Sequence, residues 1–567
     1  MPTIDVTLND LHHLIGKPVT VDELDEWLAF AKGEVDSFNQ KTCEMRISLE
    51  DTNQPYLWSA EGVAMLLRSV MGLETGTPKV AVSATKDEVI VDPSVKSVRP
   101  HIAVFSAKGP GVTDVFLRQL IQFQEKFCDA YGMKRAKVSI GIYRHDLVKF
   151  PVTYKAVSPD GIKFVPLGFT KQMTPEEILK EHPTGIAYAK QLEGFKTYPT
   201  LVDANGKVLS LIPIINSNDL GKIEIGDKDL MFECTGTDAA SVELCANIFA
   251  HTLWMRGFTI NSATVKDGKN KTVFPSLRCE DVKLEIALIN KVLGTAFETS
   301  DVKSLLEKAR HTVKKDGTKG LIVTIPSYRA DVLHPIDLIE DVAIMADYNS
   351  LPTHGLTSYT VGDVKPIERT IDSVRDILAG LGMQEVLTAV LCNKELLYEK
   401  MNCADIGTVE ISEYMSASYS CLRTWLVPVL MDTLSKNVHR EYPQNLFETG
   451  EVCLRKKDHA LDREHCGAVI CSADADYTRV RQALDTIFSM LGVGPVTYEP
   501  LDLKEAQYGG LSEAFSPGRS AVCRVKGAVV AVLGEVNPSV LDKFEVRMPA
   551  AAFELDLSEL HDLRGKK

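Results

Sequence analysis

Apolar residues recur every three or four positions along 113–132, "TDVFLRQLIQFQEKFCDAYG", and this spacing predicts a helix. Phe116, Leu120, Phe123 and Phe127 line one face, Thr113 or Asp114 caps it, and Gly132 ends it. Nearer the N-terminus, "VDELDEWLAFAKGEVD" (21–36) reads as an amphipathic helix, and 51–72 as a loop into a second helix closed by Gly72. From about 89 the pattern turns to strands: "DEVIVD", "HIAVFSA", "KVSIGIY" and "KFVPLGF" carry β-branched and aromatic residues in short runs. A hairpin is expected at Ala204-Asn205-Gly206, and 222–257 reads as a strand, a polar turn and a buried helix. Helices over 282–293 and 300–310, a basic turn and the strand "GLIVTIP" follow. The stretch "NSLPTHGL", with Pro352 and Gly355, reads as a linker. The divisions expected are 1–88, 89–272, 273–349 and 365–567, with no internal repeat or low-complexity tract.

Composition fits this picture. At 567 residues, roughly three to five domains are expected. An apolar fraction of 45% with 25% charged residues is globular, and the alternation of strands and helices makes the class α/β or α+β. The N-terminus has no basic and apolar signal pattern, and no apolar run approaches the ~20 residues that span a bilayer. Twelve cysteines without a CxxC pair suggest reduced thiols in a cytoplasmic protein. Cys466, Cys471, His459 and His465 lie close in sequence, but structural zinc favours tighter paired spacings. A net charge of −14 does not advertise nucleic-acid binding. The basic runs 266–271 and 314–320 contain Asp-Gly and read first as solvated hairpin turns.

One stretch stands apart. "IPSYRADVLHPIDLIEDVAIMADYN" (325–349) gathers Asp331, Asp337, Glu340 and Asp341 around the start of one helix. Pro335 suits its first turn. At ~100° per residue, Leu338, Ile339, Val342, Ala343, Met345 and Ala346 form an apolar face. Asp337, Glu340 and Asp341 fall opposite, together with Ile344. One reading is a solvated acidic turn, each acid gaining ~0.3–1 kcal/mol from the helix dipole. The other is a hard-cation site such as Mg2+, which would relieve the repulsion between Asp337 and Asp341.

The motif "IPSYRADVLHPIDLIEDVAI" closely resembles that of the phenylalanyl-tRNA synthetase beta subunit. The resemblance continues in "NGKVLSLIPIINS", "FECTGTD", "LRTWLVPVLMDTLSKN", "NLFETGEVC" and "LGEVNPSVLDKF". The chain ends soon after "FELDLSEL", which resembles the shorter archaeal and eukaryotic cytosolic type. Two positions depart from the family pattern: Asn53-Gln54-Pro55-Tyr56 replaces Asn-Arg-Pro-Asp, and Ile212 replaces a proline.

The resemblance implies an α+β multidomain chain. Its parts would be an N-terminal mixed domain, an α/β tRNA-editing domain of B3/B4 type, a small helical/β B5-type metal-binding domain, and a C-terminal class II synthetase-like antiparallel sheet with flanking helices. The tail "AAAFELDLSEL" lacks a Gly-x-Gly-x-x-Arg pattern, so ATP-dependent activation of phenylalanine is expected on an alpha subunit. The implied assembly is a cytoplasmic (αβ)2 heterotetramer acting on tRNA(Phe), with no membrane or DNA partner. The implied editing residues are Leu201, packing the ring of a mischarged tyrosine; Ser210, supplying a hydroxyl; Glu233, accepting the phenolic proton; and Thr235, donating or orienting water. Asn216, Ser217 and Asp238 would support them. Asp331, Asp337, Glu340 and Asp341 would bind Mg2+ at a site shared with the alpha subunit. The alternatives are a structural, tRNA-binding subunit with a degenerate editing site, and a free-standing metal-dependent hydrolase.

Overall fold

The computed structural model describes residues 2–50, 53–317, 320–501 and 509–565. Part of the basic turn at 314–320, and the first two residues of the loop at 51–72, lie outside them. The chain forms two compact units, 1–356 and 357–567.

The first unit opens with a three-stranded antiparallel sheet in the order Thr3–Thr7, Glu44–Leu49, Gly33–Asn39. The helix expected over 21–36 stops at Leu28, and a strand begins at Gly33. Lys32 turns the chain with φ 51°, and a Cβ at position 33 would strike the Ser48 carbonyl.

A ten-stranded mixed sheet follows. Its order is Ile215–Asn216, Val208–Leu211, Tyr198–Val202, Val152–Val157, Val82–Val91, Thr259–Asp267, His101–Lys108, Asp229–Gly236, Val138–Arg144, with Asn270–Phe274 paired to Thr259–Asp267. The strands Val82–Val91 and Asn270–Phe274 run across the expected divisions at 88 and 272. Helix Asp114–Asp129 is capped by Thr113 and buries the four aromatic and aliphatic residues expected of it. Helix Ala239–Met255 is buried on nearly all sides. Phe249 on this helix stacks on Phe232 at 4.8 Å and on Phe123 at 4.6 Å, and Phe232 stacks on Phe105 at 4.8 Å. This stack fastens both helices to the strand that carries Glu233. The expected strand "KFVPLGF" forms only two isolated bridges, Phe164–Met173 and Pro166–Ser217. Pro166 has no N–H to give a ladder.

Residues 280–346 build a three-stranded antiparallel sheet, Glu280–Glu285, Gly320–Ile325, Thr312–Asp316, against helices Ile286–Leu293, Thr299–Lys308 and Pro335–Ala346. Positions 282–285, expected as helix, are strand. Val282 and Leu284 alternate with exposed polar residues, a period of two rather than 3.6.

The second unit is a seven-stranded sheet in the order Gln384–Glu385, Gln444–Arg455, Ala460–Cys471, Ala550–Asp556, Ala528–Val536, Phe515–Val525, Val496–Pro500. All neighbours but the first pair are antiparallel. Alternate residues serve two cores. Phe447, Ala468 and Phe553 meet helices Pro366–Gly380, Tyr477–Met490 and Leu557–Gly565. Leu446, Val469 and Ala552 meet helix Val427–Lys436. Cys466 and Cys471 belong to opposite cores, so the Cys/His group noted in the sequence does not converge.

Candidate functional site

A cavity of about 210 Å3 opens at one side of the large sheet. Ser139, Tyr143, Ser210, Asn216 and Glu233 are among the polar residues that line it, and the turn 211–215 closes it. Strand pairing places these groups. Glu233 lies opposite Gly141 on the neighbouring strand, and Leu201 opposite Ser210. Of the four expected editing residues, Ser210 and Glu233 line the cavity. Leu201 and Thr235 are fully buried behind it.

Glu233 is 2% exposed. Burial pushes its carboxyl up to about 7, against the pull of a Tyr143 hydrogen bond and the nearby Arg99 charge. The Tyr143 hydroxyl lies 2.8 Å from Glu233 Oε2 and 2.9 Å from Ser210 Oγ. Glu233 Oε1 is buried without a hydrogen-bond partner. Such an atom is costly unless a ligand satisfies it.

Behind the site, Arg99 is almost wholly buried and fully engaged. Its Nε donates to Thr235 Oγ1 (3.0 Å), Nη1 to the Ala136 carbonyl (3.1 Å), and Nη2 to Ser139 Oγ (3.2 Å) and the Thr235 carbonyl (2.7 Å). Thr235 therefore holds Arg99, and it also helps to pull the Glu233 carboxyl down. Arg135 Nη1 donates to the carbonyls of Pro213 (3.2 Å) and Ile214 (2.7 Å) and fastens the closing turn, while its guanidinium lies over Tyr188 at 3.8 Å. Ile212 sits in that turn and lines the cavity. Asn216 lines it too and donates to the Ile142 carbonyl (3.3 Å). Ser217 Oγ accepts from Leu220 N (3.3 Å). Asp238 caps helix Ala239–Met255 through Ser241 N (3.0 Å), so its role is local. Sequence reasoning missed Tyr143, Arg99 and Arg135. A signal existed for the first: Ser139, Gly141 and Tyr143 share one face of a strand at i, i+2 and i+4.

Asp331, Asp337, Glu340 and Asp341 do not converge on one point. Arg329 donates to both oxygens of Asp331 (2.7 and 2.5 Å) and to Asp341 (3.1 and 3.2 Å). His311 Nε2 lies 2.7 Å from Asp341 Oδ2. Burial raises the Asp341 carboxyl, but Arg329 and His311 bring it down to about 2. Asp341 is buried, and Ile344 with it, where the helical pattern put both on the polar side. Asp337 Oδ2 accepts from Leu333 N and His334 N (2.7 Å each), tying down the start of its own helix. Glu340 pairs with Lys32 at 2.6 Å. Among the described residues, no three of His, Cys, Asp or Glu gather as a metal-holding group. The 53–56 departure also has a place: Gln54 Nε2 donates to Asp331 (3.3 Å), and Tyr56 packs on Tyr328 at 4.7 Å.

In the second unit, two charged pairs are buried beside the apolar cores. Arg423 pairs with Glu448 at 2.6 Å, and His465 lies 2.8 Å from Glu554, which also accepts from Leu426 N and Val427 N. Glu448 and Glu554 are wholly buried.

The phenylalanine–tRNA ligase beta subunit of Pyrococcus abyssi is 34% identical over 566 residues, 99% of this chain and 100% of its own length. The chain belongs to the phenylalanine–tRNA ligase beta subunit family. The beta subunit of Methanocella arvoryzae is 32% identical, again over 99% of this chain and all of its own. Residues 351–557 match the phenylalanyl-tRNA synthetase beta chain CLM domain, and 282–348 the tRNA synthetase B5 domain. The crystal structure of an N-terminal fragment of the Pyrococcus horikoshii beta subunit is similar to this chain, with a TM-score of 0.59 and 34% identity. It covers 61% of this chain and 99% of that fragment. As a beta subunit of this family, the chain is part of an aminoacyl-tRNA synthetase.

Proposed function

We propose that this beta subunit supports ATP-dependent charging of tRNA(Phe) by an alpha subunit and itself hydrolyses Tyr-tRNA(Phe). The observation that carries the editing half is the buried, partnerless Glu233 Oε1 at the wall of a cavity sized for one side chain. A tyrosine phenol would donate to that oxygen. Phenylalanine would leave it unpaired, at a cost of roughly 1–3 kcal/mol or more for a charged acceptor. Hydrolysis then needs no covalent nucleophile: a water held against the ester at the cavity mouth suffices, with polar groups steadying the oxyanion.

The second unit suits a supporting role. The Arg423–Glu448 and His465–Glu554 pairs occupy its interior, and Leu387, Tyr414, Met415 and Tyr419 expose apolar surface fit for an alpha subunit in an (αβ)2 assembly. Asp331, Asp337, Glu340 and Asp341 do not fit Mg2+ as placed, because Arg329 neutralises two of them and the other two face different partners. No helix among the described residues is long and apolar enough to cross a membrane.

The test is deacylation of Tyr-tRNA(Phe) by the reconstituted complex, wild type beside Glu233→Ala. Hydrolysis by wild type that Glu233→Ala removes is the expected result. A wild type no faster than the uncatalysed reaction would leave a structural, tRNA-binding subunit as the correct reading.

A further inference from the structure

We infer that Tyr143 sets the tyrosine selectivity of this cavity, by holding one oxygen of Glu233 so that the other alone faces the ligand. This rests on the editing reading above. Tyr143 is wholly buried in the strand Val138–Arg144, and its hydroxyl reaches Glu233 Oε2 at 2.8 Å. The other oxygen, Oε1, has no partner. A carboxylate free to rotate would offer either oxygen to any passing donor, water included. Tyr143 removes that freedom and leaves one fixed acceptor.

Tyr143 makes the direct 2.8 Å hydrogen bond to Glu233, and Thr235, two positions along the same strand, also pulls the carboxyl down. The groups whose charge bears on Glu233 are Arg99 before the strand His101–Lys108, Tyr143, Tyr154 on Val152–Val157, and Cys245 on Ala239–Met255. Arg99 has its donors committed to Thr235, Ser139 and Ala136. Tyr154 donates to the Arg99 carbonyl at 2.8 Å. Gly141 confirms how closely Tyr143 and Glu233 are matched: a Cβ there would collide with the Tyr143 hydroxyl and the Glu233 carboxylate.

Ser210 gains a different role. Tyr143 has one hydroxyl proton and lies within bonding distance of both Ser210 Oγ and Glu233 Oε2. The carboxylate is the stronger acceptor and takes it. Ser210 then turns its own proton toward the Tyr143 oxygen. Ser210 is thus a positioning residue that acts on Glu233 through Tyr143.

Without the Tyr143 bond, burial acts on Glu233 unopposed by its closest donor, and the carboxyl holds its proton to higher pH. A neutral carboxyl left unpaired beside phenylalanine costs less than a carboxylate, so discrimination falls. The test uses the reconstituted complex and measures deacylation of Tyr-tRNA(Phe) and Phe-tRNA(Phe) across pH. The enzymes compared are wild type, Tyr143→Phe, Ser210→Ala and the double variant. Tyr143→Phe is expected to lower the tyrosine-to-phenylalanine ratio roughly tenfold and to move the pH midpoint upward. Ser210→Ala should shift both in the same direction by less, and adding it to Tyr143→Phe should change nothing further. An active wild type whose ratio and midpoint survive Tyr143→Phe would overturn the role of Tyr143 while leaving editing intact. Additive losses in the double variant would overturn the relay through Tyr143. An inactive wild type would instead overturn the editing reading itself.

Discussion

Arg329 reaches Asp341 at 3.1 Å with both side chains buried, at 4% and 6% exposure. The same guanidinium holds Asp331. The positive charge that an acidic helix start calls for is already present in the chain, two residues before the first acid. Arg329→Ala strands buried carboxylates and is expected to destabilise the first unit by about 3–5 kcal/mol. Urea denaturation of the complex would read it.

The same pair gives a pH dependence of known sign. Asp341 titrates near 2 when folded, below its ordinary 3.8. Its contribution, on the order of 2 kcal/mol, is present above the unfolded value and lost as pH falls through the folded one. Asp341→Asn should flatten the stability curve between about pH 4 and about pH 2. An unchanged curve would show that other carboxylates govern acid unfolding.

Asp337 and Glu340 predict differently from the buried pair. Asp337→Ala removes a cap and is expected to cost ~1 kcal/mol. Glu340→Ala breaks a half-exposed pair with Lys32 and should cost ~0–1 kcal/mol. Neither loss should depend on Mg2+. Thermal unfolding with magnesium and with a chelator checks this, and a metal-dependent shift lost in both variants would return the ion to this stretch.

Gly141→Ala should lower the proposed editing activity without replacing an ionisable residue. Its new methyl has to displace Tyr143 or Glu233. A misplacement of about an ångström at such a site lowers the rate by roughly a hundredfold, read as single-turnover deacylation of Tyr-tRNA(Phe).

His465 supplies the opposite pH sign in the second unit. Glu554 and Asp556 hold it protonated to about 9, against the desolvation that lowers it. Its contribution is full below the ordinary value of 6.5 and lost as pH rises through about 9. His465→Gln should therefore weaken the alkaline decline in stability, as followed by denaturant titration.

Much of this was legible in the sequence where one period dominated. The face Phe116–Leu120–Phe123–Phe127, the Asn-Gly hairpin and the first-turn Pro335 all express a local rule that tertiary context left alone. Reading failed where context decided. Residues 282–285 sit beside a helix and share its apolar content, but pairing with Gly320–Ile325 made them strand. Asp341 lies on the helix's polar side by angle, yet Arg329 and His311 from other elements drew it inward. Tyr143 looked like an ordinary strand aromatic because its partners, Ser210 and Glu233, stand 67 and 90 residues away.

The stack of Phe105, Phe232 and Phe249 has a mechanical consequence for the cavity. Phe232 clamps the strand from the side opposite Glu233, so the acceptor stands on a rigid floor. The facing wall, 211–215, is moored by the Arg135 clasp. Floor and wall of the cavity are thus braced independently, one by stacked rings and the other by a guanidinium.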